Sequence, residues 1–426
     1  MSFTYRENSL YCEEVALADI AARLGTPSYV YSSGSILASF RAYDDALAGI
    51  PHTVCYAVKA NSTLAVLSLL AKAGSGFDIV SAGELFRVVK AGGDPSRVVF
   101  SGVGKTPDEV DYALAQGIHS FNAESEAELS LIDAIANRRG VKAAFALRVN
   151  PDVDAVTHPY TATGLRDHKF GIDISEVEGV YDRSRSLRNL VADGVSCHIG
   201  SQLLSTSPMM DAADKMIALV DRLRTAGHDI RHFDAGGGLG ISYKPADQAP
   251  EIGQFIANLR AKLAGRDLKV MIEPGRSIVG PAGVLLTRVL YRKSTGRKEF
   301  VIVDAAMNDL IRPALYQSHH EIIPLRKTEG QAGGEVGQVF SLPSSIVADV
   351  VGPVCESGDF LARGRTVANV MPGDYMAVCS AGAYGFVQAS NYNARTRPPE
   401  VLVEGGEWRV VRARETYEDL IRGEQV

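Results

Sequence analysis

The sequence predicts an α/β chain: a (β/α)8 barrel of the TIM type, joined to a C-terminal all-β domain of sandwich or Greek-key barrel type. Three observations carry this. Eight short apolar stretches between residues 53 and 273 alternate with helical patterns, as parallel strands joined by crossover helices do. Past residue 283 the helices thin out and strand-like runs follow one another with turns between. The chain has 426 residues, more than one ordinary hydrophobic core holds. We expect a barrel over residues 26–282 and a β domain built from residues 1–25 together with 283–426. A doubly wound open sheet is the alternative that the same alternation allows.

In chain order, residues 9–25 read as a short strand and a helix (18–24) that Gly25 stops. Residues 27–31 read as another strand. The eight barrel strands are expected at 53–58, 77–80, 97–101, 118–121, 143–149, 194–198, 231–235 and 269–273, with helices at 62–73, 107–117, 124–138, 208–226 and 251–264. In the last third, strands are expected at 284–291, 300–304, 346–352, 375–380 and 401–404, and a helix near 308–316. Residues 328–345 are glycine-rich without a period and read as a loop.

Composition excludes several classes. The net charge of −6 is spread along the chain without a basic run, which argues against nucleic acid as a partner. No apolar stretch reaches the roughly 20 residues that span a bilayer, and the N-terminus lacks a signal-peptide pattern. Five scattered cysteines form neither a disulfide framework nor a metal-ligand cluster. The expectation is a cytoplasmic protein with reduced thiols and no metal.

Chemistry gathers where the strands of a parallel barrel end, and there the polar residues stand out. The first strand runs into Lys59, which must reach water, a carboxylate or a ligand, since burying it unpaired is costly. A desolvated lysine loses its proton more readily and becomes a candidate Schiff-base former. The second strand carries Asp78, the fifth Arg148, the sixth His198 with Ser201, the seventh the run Gly236-Gly237-Gly238, and the eighth Glu273 with Gly275 and Arg276. The glycine run matches neither the dinucleotide fingerprint nor a P-loop, but glycines let backbone N–H groups approach an anion. Arg276 suits a phosphate. A lysine beside a phosphate cradle suggests pyridoxal phosphate, whose ring nitrogen wants a carboxylate (Glu273) and whose face wants a flat partner (His198). The β domain adds Cys355 beside Glu356, Tyr384 among small residues, and Arg312 with Tyr316 one turn apart. A lone buried cysteine is usually packing; one beside a carboxylate and near glycines is less easily dismissed.

Taken together, residues 56–61, 77–85, 198–202, 236–240, 273–276 and 355–359, and Tyr384 with 391–393, resemble the barrel-type (fold type III) pyridoxal phosphate decarboxylases, from about residue 10 to 420. The resemblance implies that Lys59 carries the cofactor and His198 stacks on its ring. Ser201, Gly236, Gly237, Gly238, Gly275 and Arg276 would bind its phosphate and Glu273 its ring nitrogen, with Tyr384 close by; Asp78 and Arg148 complete the cofactor set. Arg276, Arg312, Tyr316, Glu356 and Tyr384 would hold the substrate, and Cys355 would return a proton to carbon. It further implies a homodimer with active sites shared across the interface. A glutamate after the cysteine, with Arg312, fits the branch that converts meso-2,6-diaminopimelate to L-lysine and carbon dioxide, the last step of lysine biosynthesis. Ornithine-type relatives carry an aspartate there. Residues 152–169, long for a barrel loop, are read either as a lid or as plain surface.

Other readings are a decarboxylase of ornithine, lysine or arginine, a barrel amino acid racemase and a non-catalytic cofactor carrier. The racemase would need a second base opposite Lys59, and the carrier would lack the β domain. A metal-dependent barrel hydrolase would need histidine and carboxylate ligands at several strand ends, where only His198 qualifies.

Overall fold

The computed structural model describes residues 3–154, 169–327 and 345–426. The loop expected at 328–345 and the stretch 152–169 fall outside the described residues, apart from 152–154, 169 and 345. The chain divides into two compact units, one of residues 37–241 and 248–277, the other of 1–36, 242–247 and 278–426.

In the first unit all eight expected strands form: β1 (His52–Ala57), β2 (Gly76–Ile79), β3 (Val98–Phe100), β4 (Ser120–Ala123), β5 (Ala143–Asn150), β6 (Leu190–Cys197), β7 (His232–Asp234) and β8 (Lys269–Ile272). Every neighbouring pair is parallel, β8 returns to β1 and β4 to β5, so the sheet closes into a barrel. Closure rules out the open doubly wound sheet. Cys55, Val99 and Met271 meet inside as a buried cluster, and Phe100 stacks on Phe121. Apolar residues on both faces of these strands are the reason the run reads as apolar rather than alternating.

The crossover helices are fixed by their ends. Pro107–Gln116 starts on a Thr106–Glu109 capping box and stops at Gly117 in the left-handed conformation. Glu126–Arg139 starts on the Ser125 hydroxyl and stops at Gly140. Two further helices, Ala82–Lys90 and Val177–Ser184, also form.

The second unit is β-rich. One sheet runs in the order Phe360–Ala368, Ser345–Val351, Glu299–Val303, Gly283–Ser294, Ser28–Ser32, Glu400–Glu404, Glu407–Arg412, and Tyr375–Val378 joins it on Gly283–Ser294. Most pairs are antiparallel, but Glu299–Val303 with Ser345–Val351 and Ser28–Ser32 with Glu400–Glu404 are parallel. Ser28–Ser32 belongs to this unit although it lies within residues 26–282. A three-stranded N-terminal sheet and the helix Leu17–Leu24 bring Leu10, Leu17 and Ile20 onto a core with Val284, Leu286, Ala377 and Val401. The expected helix near 308–316 is the short Arg312–Tyr316.

Candidate active site

In the barrel unit the strand ends converge. Lys59 sits in a single 3-10 turn, Val58–Ala60, directly after β1. Its ammonium donates to the fully buried Asp78 of β2 at 2.8 Å, with about a third of the side chain exposed. A cavity of about 350 Å³ is lined by Lys59, Ser101, Asn122, Arg148, His198 and Glu273, among others. That is the size of a small-molecule site.

His198 follows β6, half-buried. Its Nδ1 accepts the Gly237 N–H at 3.2 Å, which leaves the ring proton on Nε2. Burial, then the positive charges of Arg148 and Lys59, holds the imidazole well below its usual pKa, so it is neutral. A neutral flat ring is the form that packs on a cationic heteroaromatic without repulsion.

Arg148 is buried on β5. Its guanidinium pairs with Glu124 at 2.9 Å and lies 4.6 Å from the centre of the Phe170 ring. Glu124 also accepts the Gly171 N–H at 2.7 Å.

Glu273, after β8, is held by Asn122 Nδ2 at 3.2 Å and faces Ser101 Oγ at 3.4 Å. Its pKa is pushed well above the usual carboxylate range by burial, then by the charges of Asp234 and Asp78. Asp234, at the end of β7, is raised as well, again chiefly by burial, and hydrogen-bonds Glu273. Two carboxyl groups and one shared proton wait here for a positive charge.

Beside them the backbone itself forms a cradle. Gly236 and Gly238 have φ of +68° and +108°. A Cβ on Gly236, Gly237 or Gly238 would run into the carbonyl oxygen of Cys197, Glu273 or Gly200 respectively, so only glycine fits the run. The Arg276 guanidinium donates to Ser201 Oγ at 2.8 Å, and Gly275 packs against Ala57 and Ala60. An amine, a neutral imidazole, a protonated carboxyl pair and an arginine beside a glycine cradle fit pyridoxal phosphate.

The other expected residues lie in the β-rich unit. Arg312 is buried at the start of Arg312–Tyr316. It donates to His320 Nε2 at 2.9 Å and lies 4.7 Å from the centre of the Tyr243 ring. His320 in turn donates from Nδ1 to the Cys379 carbonyl at 2.8 Å, and burial together with Arg312 keeps it neutral. Tyr316 stands one turn on, its hydroxyl 3.5 Å from Gln388 Nε2. Cys355 is exposed, and its N–H donates to Asn393 Oδ1 at 2.8 Å. Glu356, also exposed, accepts from the Tyr392 hydroxyl at 3.3 Å. The buried Asp359 fixes this segment by accepting the Met307 and Val354 N–H groups, each at 2.7 Å. Tyr384 has a φ of +55° within the turn that follows Tyr375–Val378.

The sequence analysis assigned no role to Asp234, Asn122 or Glu124. One signal was available: Asp234 stands two residues before the glycine run. Asn122, inside an apolar strand, carried none.

The chain is similar to known proteins over its whole length. The family "pyridoxal-dependent decarboxylase, pyridoxal binding domain" matches residues 33–280. Diaminopimelate decarboxylase of Pseudomonas aeruginosa is 55% identical over 425 residues, covering 100% of this chain and 99% of that protein. The Vibrio cholerae enzyme is 50% identical, over 98% and 97% of the two chains. Among solved structures, Helicobacter pylori diaminopimelate decarboxylase complexed with L-lysine superposes with a TM-score of 0.89 at 41% identity, over 95% of this chain and 98% of that one. The M. jannaschii enzyme, also with L-lysine, gives 0.91 at 35% identity, over 100% and 98%. The chain belongs to the pyridoxal-dependent decarboxylases, in the diaminopimelate decarboxylase family.

Proposed function

We propose that this protein removes carbon dioxide from meso-2,6-diaminopimelate to give L-lysine, with pyridoxal 5'-phosphate as cofactor and the barrel cavity as its seat. The observation that carries the reading is the convergence of Lys59, His198 and Glu273 on one cavity. When bound, the cofactor supplies a cationic ring that accepts the electron pair left by departing carbon dioxide.

The chain's own residues do the rest. Lys59 holds the cofactor through its amine, oriented by Asp78. His198 packs on the ring face, and Arg148 stands at the cavity wall. With the cofactor bound, Glu273 would pass its proton to the ring nitrogen and stay beside it as a carboxylate, the form a neighbouring cation favours. The Gly236, Gly237 and Gly238 backbone, with Ser201, Gly275 and Arg276, binds the phosphate, and Tyr384 closes on the cofactor.

Arg312, Tyr316 and Arg276 hold the distal carboxylate of the substrate, and Glu356 reads its distal ammonium. Cys355 delivers a proton to the α-carbon. Cys355 and Glu356 are exposed on their own chain, which supports a homodimer in which this segment serves the partner's cavity. Among the described residues no helix is long and apolar enough to cross a membrane, in keeping with a cytoplasmic enzyme.

The test is carbon dioxide release from purified protein supplied with pyridoxal phosphate, comparing meso-diaminopimelate, L-ornithine, L-lysine and L-arginine. Release from diaminopimelate alone, with lysine in equal amount, is the expected result. Release from a simple diamino acid would overturn the roles of Glu356 and Arg312.

A further inference from the structure

At the opposite end of the barrel, where the strands begin, His119, Asp193 and His232 come together with one ligating atom from each within 4.8 Å of the others. We propose that this cluster is a binding site for a divalent transition-metal ion of the zinc type, which pins β4, β6 and β7 at the barrel floor.

The cluster is built by the backbone. Asp193 is the extra residue of a β-bulge in β6, between the pairings of Ala192 with Phe145 and Gly194 with Ala146. Bulges re-aim a side chain that regular pleating would send elsewhere. Gly194, next to it, leaves room for the His232 ring: a Cβ there would run into the imidazole. His119 comes from the entry to β4, where its N–H is held by the Val98 carbonyl at 2.9 Å.

Asp193 Oδ2 lies 3.1 Å from His232 Nδ1 and 3.9 Å from His119 Nε2. The first distance is a hydrogen bond; the second is too long for one. Two bonds of about 2.1 Å at a tetrahedral centre set ligand atoms about 3.4 Å apart, between these two values. The ring nitrogen His119 Nε2 is buried and has no hydrogen-bond partner among the described residues; His232 Nε2 is the same. Leaving such atoms unmet is costly, and an ion held by His119 Nε2, Asp193 Oδ2 and His232 Nδ1 removes part of that cost. In that arrangement the His232 ring proton sits on Nε2.

Two imidazoles and one carboxylate suit zinc, cobalt or nickel, whereas magnesium and calcium prefer oxygen ligands throughout. About a quarter of the His119 side chain is exposed, which gives the ion an entry path and room for water as a fourth ligand. Lys269, at the start of β8, and Arg231, paired with Asp229, add positive charge nearby, which limits the affinity. None of the three residues is among those assigned to the cofactor, and the barrel floor is where residues serve stability.

The experiment is calorimetric titration of the chelator-treated holoenzyme with zinc chloride, with Cys355→Ala as a control for the exposed thiol. We expect one ion per chain in both proteins, and an affinity at least tenfold lower in His119→Gln and in Asp193→Asn. Decarboxylase activity should be unchanged in His119→Gln and Asp193→Asn, and zinc should raise the unfolding temperature of the wild type but not of His119→Gln. Absence of saturable binding in the wild type, or undiminished binding in His119→Gln, overturns the proposal. Should Asp193→Asn fail to fold, His119→Gln and the wild-type titration decide it.

Discussion

Asp234 and Glu273, at the ends of the neighbouring strands β7 and β8, form a hydrogen-bonded carboxyl pair bridged by one amide: Asn122 Nδ2 lies 3.3 Å from the first and 3.2 Å from the second. Burial raises both; the charge of Asp234 raises Glu273 further, whereas the hydrogen bond to Glu273 lowers Asp234, so Glu273 keeps the proton. The pair is a negative charge held back until a cation arrives.

This gives a pH dependence with a definite sign. A carboxyl raised in the folded state binds more protons there than in the unfolded chain, whose value is about 4.3. Stability is therefore full below that value and is lost as pH rises towards the raised folded value. In the cofactor-free protein, unfolding temperatures measured across this range should fall with pH, and Glu273→Gln should flatten the slope. Saturation with the cofactor should flatten it too. An equal slope in the cofactor-free wild type, the cofactor-saturated wild type and Glu273→Gln would separate the pair from the cofactor.

The Arg148–Glu124 pair is buried, with a tenth or less of either side chain exposed. Removing one partner strands a charge in the barrel, at a cost of about 3–5 kcal/mol. Glu124→Ala should therefore shift the urea midpoint sharply downwards and loosen cofactor binding. A midpoint within error of the wild type would mean that water replaces the carboxylate.

Arg312 is wedged between His320 and Tyr243, and its planar fork suits a carboxylate as a lysine does not. Arg312→Lys should raise KM for diaminopimelate about tenfold, corresponding to roughly 1.4 kcal/mol, while cofactor affinity stays the same. An unmoved KM would make Arg312 a packing residue.

Cys355 is exposed, so Cys355→Ala should leave the unfolding temperature and cofactor binding intact. Turnover should drop by about 10²–10⁴-fold, the usual worth of a positioned proton donor. Mixing it with Lys59→Ala, itself inactive, should restore activity in hybrid dimers. No recovery after subunit exchange would place both residues' work within one chain.

The barrel was legible because apolar runs with polar residues at their ends, as in residues 53–59 and 269–273, alternate regularly with helical patterns. The β-rich unit was less so. Strand Phe360–Ala368 is interrupted by Arg363-Gly364-Arg365, which reads as a turn, and Ile322–Pro324 is too short to show a period. The partners of Ser28–Ser32 lie some 250 and 370 residues away, beyond any local pattern. Lys59, Glu273 and the glycine run stood out by position. Asn122 did not, since one amide in an apolar strand gives no signal until folding sets it between two carboxyls. The same holds for His119, Asp193 and His232, which chain distance separates and strand starts reunite.

The most direct test of the account is to reduce the cofactor-loaded protein with borohydride, digest it and locate the added mass. The prediction is a single modified peptide, the one containing Lys59, and no modification in Lys59→Ala. Cofactor mass on another lysine, Lys105 for instance, or activity retained in Lys59→Ala, would contradict the assignment of the barrel cavity.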